Sequence, residues 1–480
     1  MEATLQSWTR AEQLVLAVLC GVIFLDALDG SLILVALPSI GSALDLDEAQ
    51  LQWIVSAYVL GYGGLLLLGG RCADLFGRRR VLVWGLVALI VASALGTVVS
   101  DGTLLVAARF VKGASAAFTA PAALSLLTSS FEEGARRNRA LGVYTVAAAF
   151  GFTFGLVVGG LLTELSWRYT FAIVVPAGLV LLLAALRVLP DDSGVAAGKG
   201  RLDIGGAVTV TTAAFFFVYA IVEAPTAGWL SAQTLLGLAA AAGLLAAFVV
   251  IERSVERPLV RLELLRSAPL VRTTVGAMLL FGCATVFNVV NTLYEQIVLG
   301  WGPLKTGIVF MVASITTALV APRAGTFATR IGAAWVVLAG ALAMIGSYLV
   351  FLATGLTPSY PIIVTSLVLM GAGFALVFPA VNIQAFEGIA ADEQGLVSGL
   401  VGSAFQLGGA LLLAIATAAI LAATPDDPTA DEMVHGFHAG MWVALVGAAL
   451  IVLITAYALM SERRGAQHDR QALAHEPESP

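Results

Sequence analysis

GGRCADLFGRRR, residues 69–80, separates two long apolar stretches and orients everything around it. Within it Gly70, Asp74 and Gly77 stand four and three positions apart, followed by Arg78, Arg79 and Arg80. Three adjacent arginines between membrane-spanning segments stay on the cytoplasmic side. A carboxylate at Asp74 suits the start of the following helix, where the helix dipole and neighbouring guanidiniums favour negative charge. The glycines let two helices meet through a tight turn. The stretch therefore reads as a charged latch between two spans.

The rest of the chain fits a polytopic membrane protein. Its 480 residues are 59% hydrophobic and 12% charged, with a mean hydropathy of +0.95, far from a soluble domain. Nothing supports nucleic-acid binding, because the formal net charge is -6 and no basic patch stands apart from the span boundaries. Cys20 and Cys283 lie in apolar stretches and Cys72 lies in the latch, so no pair suggests a disulfide. The first 13 residues lack the basic run of a secretory signal, so the first apolar stretch reads as a retained span.

A span needs about 20 mostly apolar residues. Fourteen candidates meet that length, from residues 13–36 to residues 438–460. With the N-terminus cytoplasmic, 21 of the 25 basic residues fall in inner loops or termini, as the positive-inside rule requires, and both termini are then cytoplasmic. The outer loops are acidic by contrast, most clearly TPDDPTADEMVHGF at 424–437, which reads as a solvated cap. The expected plan is an all-α bundle: a six-helix unit over 1–190, a linker with two inserted helices over 191–253, a cytoplasmic interfacial segment over 254–268, a second six-helix unit over 269–460 and a disordered tail over 461–480. PRAGTFATRIGAAW at 322–335 repeats the latch in degraded form, Gly325 and Gly332 keeping the seven-residue spacing while Thr329 takes the Asp74 position. Spans 9–14 thus repeat spans 1–6 in a 6+2+6 arrangement. Transporters built of such repeats hold substrate near the midplane and rock one bundle against the other.

Ionisable residues inside spans cost about 2.5–3.5 kcal/mol each on insertion scales and mark candidate functional sites. The first span carries Asp26 and Asp29, and the fourth carries Arg109 and Lys112, each pair three residues apart and so on one helical face. Counted from the outer helix ends at about 1.5 Å per residue, the two pairs lie at similar depth, so the four charges can meet. Two readings follow: a proton relay, or a neutral ion-pair cluster that holds the two spans together. Asn288, Asn291 and Glu295 form a stripe on the ninth span, and Asn382 lies late on the twelfth, as the facing wall of a cavity. Phe118, Phe374 and Phe378 offer an apolar ligand surface or plain packing. Gly151, Gly155 and Gly159, each four apart, leave one face of the fifth span open to a close neighbour, within the fold or between subunits.

These residues carry a family resemblance over nearly the whole chain. The latch resembles the loop between the second and third spans of the major facilitator superfamily. LDGSLILVALP at 28–38, ARFVKGASAAFTAP at 108–121 and the span 5 glycines followed by ELSWRYTF resemble motifs of its 14-span drug:proton antiporter branch. Three positions depart from the pattern: Leu34 stands for the usual Asn, Lys112 for the usual Gln and Leu156 for the usual Pro. The resemblance implies export of a small lipophilic drug or antibiotic from a bacterium across its plasma membrane in exchange for protons. Asp29 would be the proton carrier, Arg109 its modulator, and Asp74 with Arg78 the gate. No cofactor beyond the coupling proton and no partner beyond substrate and lipid bilayer is implied, and the chain is expected to act as a monomer.

The extra acid Asp26 and the extra base Lys112 lie outside that pattern. They weigh against a purely cationic cargo and leave an anionic or zwitterionic natural product or siderophore-type metabolite as a rival. An enzyme is poorly served: no HExxH, GxSxG or phosphate-binding loop occurs, and the four histidines make no metal site. A membrane sensor without transport would tolerate the fold but gives no reason for the buried charges.

Overall fold

The computed structural model describes residues 8–131, 135–190, 204–255, 267–387, 394–425 and 428–474. Residues 256–266 of the expected interfacial segment, most of the linker and the end of the tail lie outside them, while residues 461–474, expected to be disordered, continue the last helix. The described residues are helical almost throughout: α1 Arg10–Leu44, α2 Glu48–Phe76, α3 Arg78–Val98, α4 Gly102–Ser130, α5 Ala135–Leu165, a short α6 Tyr169–Ala172 running into α7 Val174–Val188, α8 Ile204–Ala227, α9 Ala232–Ser254, α10 Ala268–Leu293, α11 Pro303–Ile331, α12 Ala333–Phe351, α13 Tyr360–Phe386, α14 Gln394–Ala423 and α15 Ala430–Ala474. A π-helical turn, Tyr294–Val298, ends α10. Twelve helices among the described residues are long and apolar enough to cross a membrane, and Gly205–Ile221 in α8 is a shorter apolar helix.

Local sequence sets the helix starts. Thr9 with Glu12 and Asp47 with Gln50 form reciprocal capping boxes for α1 and α2, and Asp101 and Ser231 cap α4 and α9. Each cap satisfies an amide that the helix leaves unbonded. Proline in the first turn starts α10, α11 and α13, where a missing N–H costs nothing.

The two six-helix halves repeat each other in backbone detail. Gly77 joins α2 to α3 at φ 98°, ψ 134°, and Gly332 joins α11 to α12 at φ 92°, ψ 141°. Both joints need glycine, because a side chain is strained there. Gly113 and Gly371 hold the same register position in α4 and α13; a Cβ would meet Tyr58 O of α2 at 1.9 Å and Ala313 O of α11 at 2.2 Å. Pro121 and Pro379, eight residues further on, match likewise. The charges are not repeated: where α4 carries Arg109 and Lys112, α13 carries buried Leu367 and Met370.

Between the halves, α2 packs on α14 and α5 on α11, while the α8–α9 hairpin lies against α2 and α14 together. Trp53 Nε1 donates to Glu223 of α8 at 2.7 Å, and Thr211 Oγ1 donates to Gly64 O at 2.8 Å. One apolar core runs from Ile33–Ile40 of α1, Leu156 and Trp167 into the whole second half. A separate cluster holds Val15–Val22 of α1 with Leu82, Leu126, Phe131 and Leu189. The halves share the first core at the end of the bundle away from the described chain ends, here called the far end, and a second cluster deeper in, where Tyr58, Val59 and Leu60 of α2 and Ala116 of α4 meet Ala410 and Ala414 of α14.

Candidate functional site: a buried charge cluster between α1 and α4

Asp29 sits between the two bases of α4. Lys112 Nζ contacts its Oδ1, and Arg109 reaches its Oδ2 at 3.6 Å. Arg109 is held from two further sides: its Nε donates to Ile54 O at 3.1 Å, and its guanidinium lies 4.4 Å above the Tyr58 ring. Lys112 Nζ lies 4.4 Å above the ring of Phe171 in α6. Asp29, Arg109 and Lys112 are 2%, 1% and 1% exposed. Ions so far from water persist only when paired, as these are. Aromatic faces add attraction to a desolvated cation.

Asp26 stands apart from the bases. Its Oδ2 accepts from Thr119 Oγ1 at 2.7 Å, its backbone carbonyl accepts from the Tyr58 hydroxyl at 3.3 Å, and its Oδ1 has no hydrogen-bond partner among the described residues. The cluster is thus a triad of Asp29, Arg109 and Lys112 with a second carboxyl beside it. Thr119, Tyr58 and Phe171 complete the site without having been picked out from sequence. Thr119 alone had a signal, since Arg109, Lys112, Ala116 and Thr119 share one face of α4. The Arg109 contact to the Ile54 carbonyl depends on helix packing and leaves no mark in sequence.

The latch residues fold as a joint. Arg78 Nη1 donates to Ser125 O at 3.1 Å, and Arg79 Nη2 donates to Leu186 O, so these arginines tie the start of α3 to the ends of α4 and α7. Arg80 is exposed. The side chains of Asp74 and Thr329 lie outside the described residues. Gly70 has ordinary clearance from Pro121, whereas at Gly69 a Cβ would meet Ala117 O at 2.0 Å; Gly69 is the close contact of α2 with α4. On α5, Cβ atoms at Gly151, Gly155 and Gly159 would meet Phe24 O, Ser31 Oγ and Leu32 O of α1 at 2.4, 2.0 and 2.9 Å. That glycine face packs within the fold.

In the second half, the half-buried Phe374 and Phe378 stack at 5.4 Å, and Phe378 meets the buried Phe405 of α14 at 5.2 Å. Asn382 Nδ2 donates to Phe378 O of its own helix at 2.8 Å. Phe118 packs against the first-half core. Asn288 is half-buried, whereas Asn291 and Glu295 have no exposed surface and bond to each other at 2.9 Å. Glu295 thus presents nothing to a cavity here. Among the described residues no group of His, Cys, Asp or Glu is placed to hold a metal ion.

A paired helical bundle enclosing ionisable groups fits a solute carrier, and residues 19–413 match the family described as Major Facilitator Superfamily. The chain belongs to the major facilitator superfamily. It is therefore a multi-pass membrane transporter of small molecules, not an enzyme. It is 34% identical to the puromycin resistance protein of Streptomyces alboniger, covering 97% of this chain and 94% of that one. It is 35% identical to the cephamycin export protein of Amycolatopsis lactamdurans, covering 94% and 93%. Its fold matches the crystal structure of the POT family transporter PepTSo with a TM-score of 0.67 at 17% identity, over 95% of this chain and 99% of that one. Relatives of this kind are antibiotic and drug exporters, consistent with the 14-span branch.

Proposed function

We propose that this superfamily member exports a small lipophilic drug or antibiotic in exchange for protons, across a bacterial plasma membrane, by alternating access. The observation that carries the reading is Asp29 wedged between Arg109 and Lys112 with almost no exposed surface. A carboxylate so placed changes its charge only when substrate or helix motion alters its two cations, and this couples a proton to a conformation. Asp26, bonded to Thr119 and not to a base, is the neighbouring carboxyl through which a proton reaches or leaves Asp29.

The fourteen-span reading adds α2 and α8 to the twelve long apolar helices. With the arginine latch on the cytoplasmic side, both termini are cytoplasmic and the far end is external. The half-buried pair Phe374 and Phe378 supplies the apolar surface for a lipophilic cargo, and the protein works as a monomer. A second reading rests on Lys112: a base on the cluster favours an anionic or zwitterionic natural product, whose acid group would compete with Asp29.

Purified protein in liposomes holding a proton gradient tests this. Lipophilic cations, anions and zwitterions are added in turn while a pH-sensitive dye reports internal pH. Compound-triggered proton release that is lost in Asp29→Asn supports antiport and names the charge class of the cargo. A gradient that ignores every compound shown to bind overturns proton coupling.

A further inference from the structure

The second half has a buried carboxyl of its own, and it lies at the seam between the halves. Glu295 sits in the π turn that ends α10, where Leu299 N bonds to Tyr294 O and Trp301 N bonds to Glu295 O. A π turn breaks the regular helical ladder and swings its side chains off the helical face, and such turns recur at functional sites. Asn291, Glu295 and Thr306 all have 0% exposure. Glu295 Oε1 accepts from Asn291 Nδ2 at 2.9 Å, but Glu295 Oε2, Asn291 Oδ1 and Thr306 Oγ1 have no hydrogen-bond partner among the described residues. No arginine or lysine forms an ion pair with Glu295 there. Lys305, the nearest base, holds its Nζ 3.9 Å above the Trp301 ring and 5.4 Å from that of Tyr360. Of the other titratable groups around the turn, the Tyr294 hydroxyl donates to Gly355 O at 2.7 Å, and His438 of α15 is bonded to Thr354 at 3.2 Å. From α1 only the Val35 backbone carbonyl is bonded to the turn.

A charged carboxylate without an ion-pair partner in such a place is very costly, and among the described residues Lys305 offsets only part of that cost. One proton on Oε2 removes the buried charge, and Thr306 Oγ1 stands beside the carboxyl to bond with it in either direction. The carboxyl also adjoins the far-end junction. The next residue, Gln296, donates from Nε2 to Val35 O of the first half at 3.0 Å. Thr306 lies in the first turn of α11, where Leu304 N bonds to Glu164 of the first half at 3.4 Å. Two of the contacts that join the halves thus flank Glu295.

We infer that Glu295 is a second proton-binding site, carried by the second half, sealed while the far end is closed and exchanging its proton to the far side when Gln296 and α11 part from the first half. This deepens the proton-coupled reading and rests on it for its role in transport. On opening, Oε2 releases its proton to water and the carboxylate becomes solvated; on closing it takes one up again.

Infrared spectroscopy of the purified full-length protein, in water and in deuterium oxide at neutral pH, tests the site without any transport assay. The wild type is expected to show a carboxylic-acid C=O band that disappears in Glu295→Gln and persists in Asp29→Asn and Asp26→Asn. Glu295→Gln keeps an amide acceptor for Asn291, so it should fold, and a melting curve like that of the wild type checks this. In Gln296→Ala, whose far-end tie is cut, that band should shift in deuterium oxide at least tenfold faster. An unchanged band in well-folded Glu295→Gln overturns the inference. So does a carboxylate band for Glu295 together with stabilisation by sodium but not by choline, which would make it a metal-cation site. If the band behaves as expected while no compound moves protons in liposomes, the site stands and the antiport reading alone fails.

Discussion

Asp29→Asn removes the one negative charge that two buried cations share. At 3.6 Å, Arg109 alone attracts Asp29 by roughly 4–5 kcal/mol at an effective dielectric of about 20. Lys112 lies closer, and the desolvation of all three groups opposes the sum. The variant retains that desolvation and loses the attraction, leaving Arg109 and Lys112 each 1% exposed with only aromatic faces and a carbonyl beside them. Breaking a buried pair from one side costs about 3–5 kcal/mol, and that loss is expected here. Adding Lys112→Gln removes one charge of each sign in total, so the double variant should regain at least about 2 kcal/mol over the single one. Thermal and denaturant unfolding of the four purified proteins, wild type, both singles and the double, gives the coupling directly. If Asp29→Asn unfolds like the wild type, or if the double loses the sum of the two singles, the triad does not share charge as described.

Gly155→Ala should destabilise by about 1–3 kcal/mol, because its Cβ would meet Ser31 Oγ at 2.0 Å and Leu28 O at 2.6 Å; Gly276→Ala, with nothing within 4 Å, is the control and should melt at or above the wild type. Gly77→Ala and Gly332→Ala should each cost about 1–2 kcal/mol from the left-handed backbone alone, visible as matched drops in melting temperature. Glu164→Ala takes a carboxylate from the start of α11 and should shift the balance toward a parted far end by about two- to fivefold. Spin labels on the far ends of α5 and α11 would report that as a larger fraction of long distances, and an unchanged distribution would refute it.

The family, the helical class and the doubled plan were legible in the chain because they rest on local chemistry. Apolar runs of membrane length, arginines at their ends and a glycine joint that recurs at Gly77 and Gly332 are properties of short segments. The meeting of Asp29 with Arg109 and Lys112 was also within reach, since helix rise and periodicity place them at one depth on facing sides. What sequence could not give is how each charge is shared. Asp26 and Asp29 look alike in the chain, three residues apart, yet the turn between them around α1 and its packing on α4 send one to Thr119 and the other to two bases.

Glu295 shows the same limit from the other side. The stripe keeps Asn291 and Glu295 together, bonded at 2.9 Å, but the π turn at Tyr294–Val298 and the burial of both residues are not legible in the chain. The side chain of Glu295 is then buried beside Thr306 at the junction of the halves. Gly69, not Gly70, is the tight contact, because the register of α2 on α4 is set by packing over the whole length of both helices. The sequence alone determined that this protein crosses the membrane many times as two related bundles, since transfer of apolar segments and the placement of arginine are decided residue by residue. Only the tertiary structure decided which acids face bases and which stand alone, because that depends on helix register and on the contact between helices far apart in the chain.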